Sequence, residues 1–298
     1  MLGLTYLHHR SGYDWLPPQP PSVDRGLDNN VRVFEAVRIP LEKPRFSVCL
    51  SSQVGCALGC AFCETGRLGF LRNLEPWEMV EQALTVRRES PERPLTGAVF
   101  QGQGEPLQNY DNVLRAARIL RDPSGPRIGS DRITISTVGL LPQIERYTEE
   151  GHPYRLILSL TSAFSEKRES LVPVTARYGV PELAAAMRRH AARRGGPVSL
   201  AWVLISGFNT GPEEARELAR LFHGVSVRLS VIDVNDPAGG FARATDEERG
   251  LFLSALSANR LGFVRRYSGG PDIDAACGML ASRTRGGEVH EPPATLPS

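Results

Sequence analysis

One short run of sequence decides the fold and chemistry of this chain: Gly55-Cys56-Ala57-Leu58-Gly59-Cys60-Ala61-Phe62-Cys63. Its CxxxCxxC spacing supplies three thiolates and no fourth. A closed structural zinc site takes four protein ligands, whereas a cubic iron–sulfur cluster on three cysteines leaves one iron open to a small molecule. The run therefore predicts a cluster-based reaction centre with Cys56, Cys60 and Cys63 as metal ligands. A zinc knuckle is the alternative, but no second CxxC or Cys/His pair completes it.

Length and composition predict a globular protein. The 298 residues are 41% apolar, which is enough for one large α/β domain or two small ones. No stretch approaches the roughly 20 apolar residues of a membrane helix, and the first ten residues lack the apolar core of a signal peptide. We therefore expect a cytoplasmic location and no membrane partner. The net charge of +2, with arginines clustered at 188–189, 193–194 and 265–266, is only a weak indication of nucleic-acid binding.

Strands and helices alternate outward from the cysteine run, which directly follows a predicted strand. Apolar runs predict strands at residues 31–39, 46–51, 97–101, 133–136, 156–160, 198–205 and 225–232. Helical patterns lie at residues 75–88, 109–121, 142–150, 181–194 and 212–222. About six β/α units predict an α/β fold, a partial (β/α)6 barrel of the TIM type with a short N-terminal extension. We expect an irregular Pro-rich arm over 1–30, a core over 31–282 and a disordered tail over 283–298.

Polar features follow the ends of several predicted strands. The carboxyl ends of parallel strands meet at one rim, so we expect the functional site there. These features are the cysteine loop, the Gly102–Pro106 turn, Ser136, Ser159 and Asn235.

Two residues near the cysteine run favour a ligand that carries an amine and a purine. The Gly102–Pro106 turn fails the dinucleotide pattern GxGxxG because Leu107 replaces the third glycine, but Glu105 places a carboxylate suited to an ammonium group. Phe62 precedes the last thiolate, where its ring can lie beside a purine. A simple strand-to-helix turn and ordinary loop packing are the respective alternatives.

The cysteine count favours metal or redox chemistry. Five cysteines are an odd number, which argues against a disulfide framework. Beyond the run, Cys49 lies seven residues upstream of Cys56, and Cys277 stands alone near the C-terminus.

These residues resemble the radical S-adenosylmethionine (SAM) superfamily and, more narrowly, the RlmN/Cfr family of ribosomal RNA adenosine methyltransferases. The similarity runs from about Val31 to Ala281. Besides the cysteine run, it rests on Cys49-Leu50-Ser51-Ser52-Gln53-Val54-Gly55-Cys56, residues 66–74, Gly104-Glu105-Pro106-Leu107, Ile135-Ser136-Thr137, Leu171-Val172-Pro173 and Asp272-Ile273-Asp274-Ala275-Ala276-Cys277-Gly278.

The resemblance implies a radical methyltransferase that uses SAM twice. One SAM would methylate Cys277, and another, bound to a [4Fe-4S] cluster, would be cleaved to a radical that activates this methyl group. The carbon radical would add to carbon 2 or 8 of adenine in RNA, and Cys49 would release the product by forming a disulfide with Cys277. A reductant such as flavodoxin or ferredoxin would supply electrons. An amidine-like ring carbon is not a nucleophile, so ordinary polar transfer from SAM cannot methylate it. Radical addition can, and it needs one thiol as methyl carrier and one as resolving thiol, which are the two cysteines beyond the three cluster ligands.

The resemblance also implies roles for the rim residues. Glu35 matches a carboxylate that acts as a proton acceptor. The positions that match SAM-contacting residues are Gly104, Glu105, Ser136, Ser159 and Asn235, with Phe62 beside the cofactor.

The chain departs from the family on the substrate side. The helical N-terminal domain of the family has only the Pro-rich arm as its counterpart. Thr161 replaces a His, Ala201 replaces a Glu, and Asp233-Val234-Asn235-Asp236 replaces Pro-Trp-Asn-Pro. Two catalytic readings follow: an RNA adenine methyltransferase, or a biosynthetic enzyme that methylates a free nucleotide or a small heteroaromatic compound. A non-catalytic RNA-binding relative is a third.

Overall fold

The structure, a computed structural model, describes residues 34–41, 45–91, 93–236, 239–266 and 277–280. The expected arm over 1–30 and tail over 283–298 lie outside these ranges. Ten strands are present in them: β1 Val37–Pro40, β2 Phe46–Leu50, β3 Gln53–Gly55, β4 Phe70–Asn73, β5 Leu95–Phe100, β6 Ile133–Thr137, β7 Arg155–Ser159, β8 Val198–Leu204, β9 Val227–Asp233 and β10 Gly262–Arg266.

Helices alternate with the long strands. They are α1 Glu64–Arg67, α2 Pro76–Arg88, α3 Tyr110–Arg121, α4 Leu141–Glu150, α5 Ser165–Leu171, α6 Val180–Arg194, α7 Pro212–Leu221 and α8 Asp246–Ala258. None of the helices within the described ranges has both the length and the apolar content needed to span a bilayer.

Eight of the strands form one sheet in the order β1-β2-β5-β6-β7-β8-β9-β10, curled into a half-barrel. The first strand is antiparallel to its neighbour and the remaining pairs are parallel. Each strand from β2 to β9 in this sheet is followed by a helix, which gives the six predicted β/α units. The α/β half-barrel is therefore confirmed, with β10 added as a further strand.

The two faces of the sheet differ in chemistry. On the outer face Trp202 stacks on Phe252 of α8 with ring centroids 5.4 Å apart, and Val231 of β9 is in register with it. Leu158, Leu200 and Leu229 align across β7, β8 and β9 on the same face. On the inner face the register aligns Cys49 with Val99, and Val99 with Thr134. Helices bury the apolar outer face, whereas the inner face mixes apolar residues such as Val99 with polar ones such as Thr134.

The first strand is shorter than the sequence predicted. The expectation was a strand over residues 31–39, but β1 spans Val37–Pro40, pairing Val37 with Cys49 and Pro40 with Phe46. Residues 31–33 of the predicted strand lie outside the described ranges. A strand extends only as far as its partner, and β2 ends at Leu50, one residue beyond the Cys49 that pairs with Val37. Residues 34–36 therefore leave the sheet at the rim.

Candidate active site

The three cysteines lie on a loop that connects the strands of the β3–β4 hairpin. The hairpin closes because Gly55 adopts a φ of +74° and because the backbone N–H of Cys56 donates to the Gly69 carbonyl at 2.8 Å. A Cβ at Gly55 would lie 1.9 Å from that same oxygen, so only glycine fits. The Ala61 N–H donates to the carbonyl of Leu171 at the end of α5, 2.9 Å away.

The donor set fits a cluster better than a single ion. Cys60 is buried, whereas Cys56 and Cys63 are partly exposed, and the charge of Cys63 raises the pKa of both other thiols in addition to burial. Three thiolates without a fourth protein ligand are the donor set of a cubic iron–sulfur cluster that keeps one iron open, whereas a closed structural zinc site takes four protein ligands. Cys56, Cys60 and Cys63 could hold such a cluster.

Glu105 lies at the rim, after β5, where it is 3% exposed. One carboxylate oxygen accepts from the Leu107 N–H at 2.9 Å and the other from the Val138 N–H at 3.0 Å. Burial raises the pKa of Glu105 to about 7, although these two hydrogen bonds and a third from the Thr137 side chain oppose the rise. A carboxylate offers about four acceptor sites, so the oriented group can still accept from an ammonium group beside these three donors.

Gln53 fixes the backbone beside this carboxylate. Its side-chain oxygen accepts from the Glu105 N–H at 2.8 Å. Gly104 has a φ of +93°, and a Cβ there would lie 2.5 Å from the Cβ of Gln53. The glycine therefore admits close packing of the turn, and Gln53 is a supporting residue that the sequence did not single out.

The predicted serines end neighbouring strands. Ser136 in β6 and Ser159 in β7 have their hydroxyl oxygens 3.4 Å apart. Ser136 is buried and Ser159 is half-buried. The structure thus brings two hydroxyls together on the inner face, close to the ends of their strands.

Arg168 of α5 is fully buried and hydrogen-bonds to residues that follow β6 and β7. Its guanidinium donates to the carbonyls of Leu160 at 2.9 Å and Ser159 at 3.2 Å, and also to the carbonyl of Val138. Burial lowers its pKa to about 10, while the Cys60 charge opposes the shift. Sequence reasoning missed this residue, because one arginine in a short polar helix carries no signal of burial.

Two further predicted residues lie beside the first strand. Cys49 is 7% exposed, and burial first, then the charge of Cys277, raises the pKa of its thiol. Glu35 is buried; its carbonyl accepts from the Ser51 hydroxyl at 2.6 Å, and the Gln103 amide donates to its carboxylate at 3.4 Å. Both residues therefore lie where β2 reaches the rim.

The turn with Cys277 contacts the cysteine loop. Cys277 is exposed, whereas the next carbonyl, of Gly278, accepts from the Glu64 N–H at 2.8 Å. Thr65 donates its hydroxyl to the Leu280 carbonyl at 3.1 Å, and Leu280 packs in one apolar cluster with Cys49. Phe62 packs in a second cluster with Cys60 and Val234. The structure therefore gathers all five cysteines of the chain at one rim.

Asn235 follows β9 and is 5% exposed. Its amide lies 3.4 Å from the Cys277 carbonyl, and its side-chain oxygen accepts from Arg243. The predicted rim residues thus meet in one region, whereas residues 272–276 of the predicted motif lie outside the described part of the chain.

Comparison with known proteins supports a radical SAM assignment. The model of the Radical SAM superfamily matches residues 50–222. A crystal structure of a radical SAM methyltransferase from Sphaerobacter thermophilus superposes with a TM-score of 0.81 and 42% identity, covering 84% of this chain and 74% of that one.

Curated relatives carry RNA methyltransferase names. A "Probable RNA methyltransferase" from Myxococcus xanthus is 49% identical over 89% of this chain and 74% of its own length. A "Dual-specificity RNA methyltransferase RlmN" from Syntrophobacter fumaroxidans is 42% identical over 84% of this chain and 73% of its own length.

Proposed function

Since the chain belongs to the radical SAM superfamily, among the RNA methyltransferases related to RlmN, we propose that it methylates an electron-poor adenine carbon in RNA. Carbon 2 and carbon 8 of the ring are the candidates. The membership makes the protein a transferase. A [4Fe-4S] cluster and SAM are the cofactors of this family, and a flavodoxin or ferredoxin is the proposed source of electrons.

One observation supports the methyl-carrier role more than any other. The exposed Cys277 lies on a turn that hydrogen-bonds to Glu64, the residue immediately after the last cysteine of the loop. A carrier thiol must be open to SAM and still lie beside the radical source. An exposed thiol tethered to the cysteine loop meets both requirements.

The two thiols outside the loop have complementary surroundings. Exposed Cys277 is the proposed nucleophile that takes a methyl group from one SAM. Cys49 is buried, and its raised pKa keeps it a thiol until a base removes its proton. Glu35 is also buried, and its carbonyl accepts a hydrogen bond from Ser51 just after β2; it is the proposed proton acceptor.

Release of the product follows from thiol chemistry. Once the methyl carbon is bonded to both the adenine ring and the Cys277 sulfur, attack of the Cys49 sulfur on the Cys277 sulfur breaks the carbon–sulfur bond. Before this attack the radical adduct loses the ring hydrogen as a proton to Glu35 and gives up one electron, which balances the electron spent on cleaving SAM. The carbon then leaves with the electron pair of the carbon–sulfur bond and takes up the proton of the Cys49 thiol to become the methyl group. The two cysteines become a disulfide, and two electrons from the reductant restore the thiols. When bound, the cluster supplies the single electron that cleaves the second SAM.

The SAM-binding roles are proposed for the rim residues. Glu105 would accept from the ammonium group, and Ser136, Ser159 and Asn235 offer hydroxyl and amide groups near the strand ends. Gly104 keeps the backbone close to the ligand, and Phe62 would lie beside the adenine of SAM. Their common location at the rim supports these assignments.

Anaerobic turnover tests the proposal. Reconstituted protein given SAM and dithionite should form 5′-deoxyadenosine, and mass spectrometry should find a methyl group on Cys277. Total RNA and adenine nucleotides offered with methyl-labelled SAM should show label in RNA adenine. Label confined to free nucleotides would overturn the RNA assignment, and absence of a Cys277 methyl group would overturn the carrier mechanism.

Single cysteine variants separate the two thiol roles. Cys277→Ala should make 5′-deoxyadenosine but no methylated RNA. Cys49→Ala should accumulate RNA joined covalently to the protein, because no second thiol breaks the carbon–sulfur bond. Methylated RNA from Cys277→Ala would contradict the carrier role.

A further inference from the structure

Three arginines share the inner face of the half-barrel. The register pairs Ser199 of β8 with Arg228 of β9, Arg228 with Gly262 of β10, and Ile232 with Arg266. Residues paired across strands lie on the same face, and alternate residues return to it. Arg228 and Arg266 are therefore on the face that also carries Cys49. Arg155 of β7 pairs with Thr134 and belongs to this face as well.

This inner face contains no acid along its strands. Asp233 is the one carboxylate among the residues of the eight described sheet strands, and alternation from Arg228 places it on the outer face. There it takes part in ion pairs with Arg249 and Arg265. Within the described ranges, none of the three inner arginines forms an ion pair with a carboxylate.

The inner arginines differ from those on the helices. On α6, Arg188 donates to the carbonyls of Leu221 and His223, and Arg189 pairs with Glu145. These outer groups already have structural partners. By contrast, among the residues that the structure describes, Arg155 donates one hydrogen bond, to the Asp131 carbonyl at 3.1 Å, and Arg266 one, to the Ser230 hydroxyl at 3.1 Å.

The inner arginines repel one another. Burial lowers the pKa of Arg155, and the charges of Arg228, Arg194 and Arg266 lower it further, although the charge of Asp131 opposes the shift. Such repulsion destabilises the folded chain, and a bound anion would offset it. Hydroxyls of Ser199 and Ser230 on the same face add donors suited to phosphate oxygens.

One of the three inner arginines lies near the proposed methyl carrier. Arg155 and Arg228 lie towards the amino-terminal ends of β7 and β9, whereas Arg266 is the last residue of β10. The charge of Arg266 interacts with the Cys277 thiol, and the charge of Cys277 in turn acts on Cys49. An anion held by Arg266 would therefore lie near both thiols. This location associates the arginines with the acceptor of the methyl group.

We propose that Arg155, Arg228 and Arg266 bind the phosphodiester backbone of the RNA acceptor inside the half-barrel. This inference rests on the proposed function. β7 and β10 are separated by two strands, so a spacing of about 4.8 Å places their backbones roughly 14 Å apart across the sheet. Arg155 is the first residue of β7 and Arg266 the last of β10, and the register places Arg266 six residues, or about 20 Å, further along the strand direction. The three arginines therefore start from a diagonal across the inner face, which successive phosphates of a polynucleotide can follow.

Salt-dependent binding tests the proposal. The probe is a dye-labelled, adenine-containing RNA hairpin, measured by fluorescence anisotropy with reconstituted full-length protein at several salt concentrations. The test variant is the triple change Arg155→Gln, Arg228→Gln and Arg266→Gln. The matched control, with the same loss of charge, changes three exposed outer arginines: Arg87→Gln, Arg115→Gln and Arg216→Gln.

The expected result is selective loss of RNA affinity. The inner triple variant should bind about tenfold or more weakly, and its slope of log affinity against log salt should fall by about 2, as for three lost phosphate contacts on a single strand. The control should bind like the wild type. A triple change of the inner arginines to lysine should restore most of the affinity, because it keeps the charge. Equal affinity and slope for the two glutamine triples would overturn the proposal.

Two further measurements keep the outcome unambiguous. Arg228→Gln alone, at the exposed central position, should lower the slope by about 0.7 and repeats the test if the triple variant does not fold.

Adenosine 5′-monophosphate is titrated in parallel. Loss of nucleotide binding in the triple variant, with no RNA binding by the wild type, would overturn the RNA assignment and indicate a small phosphorylated acceptor. If the wild type methylates RNA during turnover but the triple variant binds RNA with unchanged affinity, only the arginine site is overturned.

Discussion

The side-chain amide of Asn235 lies 3.4 Å from the backbone carbonyl oxygen of Cys277. This contact ties the end of β9 to the turn that carries the exposed thiol. Gly278 follows with a φ of +91°, and a Cβ there would lie 3.3 Å from the carbonyl oxygens of both Asn235 and Phe62. The position of the proposed carrier thus depends on a backbone that favours glycine.

Gly278→Ala should impair methyl transfer without loss of the cluster. The left-handed backbone costs an L-residue roughly 1–2 kcal/mol, and the close oxygens resist the new methyl group, so the Cys277 turn should shift. Intact-protein mass after incubation with SAM should show less methylated Cys277. Gly250→Ala in α8, where nothing lies within 4 Å of an added Cβ, is the control. Equal methylation of the two variants would contradict this prediction.

Gly55 and Gly59 form a matched pair around the cysteine loop. Both have positive φ, +74° and +62°, so alanine is strained at either position. Only at Gly55 does the new Cβ collide, 1.9 Å from the Gly69 carbonyl oxygen; at Gly59 nothing lies within 4 Å. Gly55→Ala should therefore lose most iron and sulfide on reconstitution, and Gly59→Ala should keep most. Similar iron content in both would show that closure of the hairpin does not govern cluster assembly.

Arg168→Met should destabilise the protein strongly. Methionine leaves the buried carbonyls of Leu160, Ser159 and Val138 without this donor, at 1–3 kcal/mol each, so we expect roughly 3–5 kcal/mol in all. That corresponds to a fall of about 10 °C in the melting temperature. Exposed Arg216→Met should change stability by less than about 0.5 kcal/mol. Matching melting curves for the two variants would refute the structural role of Arg168.

His190 should make stability depend on pH. Burial, followed by the charge of Arg194, lowers its pKa from 6.5 to about 4. Below pH 6.5 the His190 side chain binds a proton in the unfolded chain but not in the folded one. The contribution of neutral His190 to the free energy of unfolding is therefore fully present above pH 6.5 and decreases as the pH falls towards 4. The loss is on the order of 3 kcal/mol.

Denaturant unfolding at several pH values isolates this contribution. His190→Gln cannot titrate, so the stability difference between wild type and variant should shrink from pH 7 to pH 4. A difference that stays constant over that range would show that His190 titrates alike in both states.

The alternation of strands and helices was readable because each buried strand is a short apolar run and each helix follows at once. Elements without that contrast were missed. The β3–β4 hairpin has a three-residue strand, β10 has only two apolar residues, and α5 is one short polar helix. The start of α8 could have been predicted from the capping box of Thr245 and Glu248, which a search for apolar periodicity alone does not detect.

The sequence by itself determined the CxxxCxxC spacing, the six β/α units and the strand ends at which the predicted site residues lie, because these depend on local spacing and period. Tertiary structure alone decided that Cys277 lies beside a loop more than two hundred residues upstream, as the 2.8 Å bond from Glu64 to Gly278 shows. It also decided that Arg155, Arg228 and Arg266 share one face. Which residues of separate strands share a face depends on the register between those strands, and no local sequence pattern encodes that register.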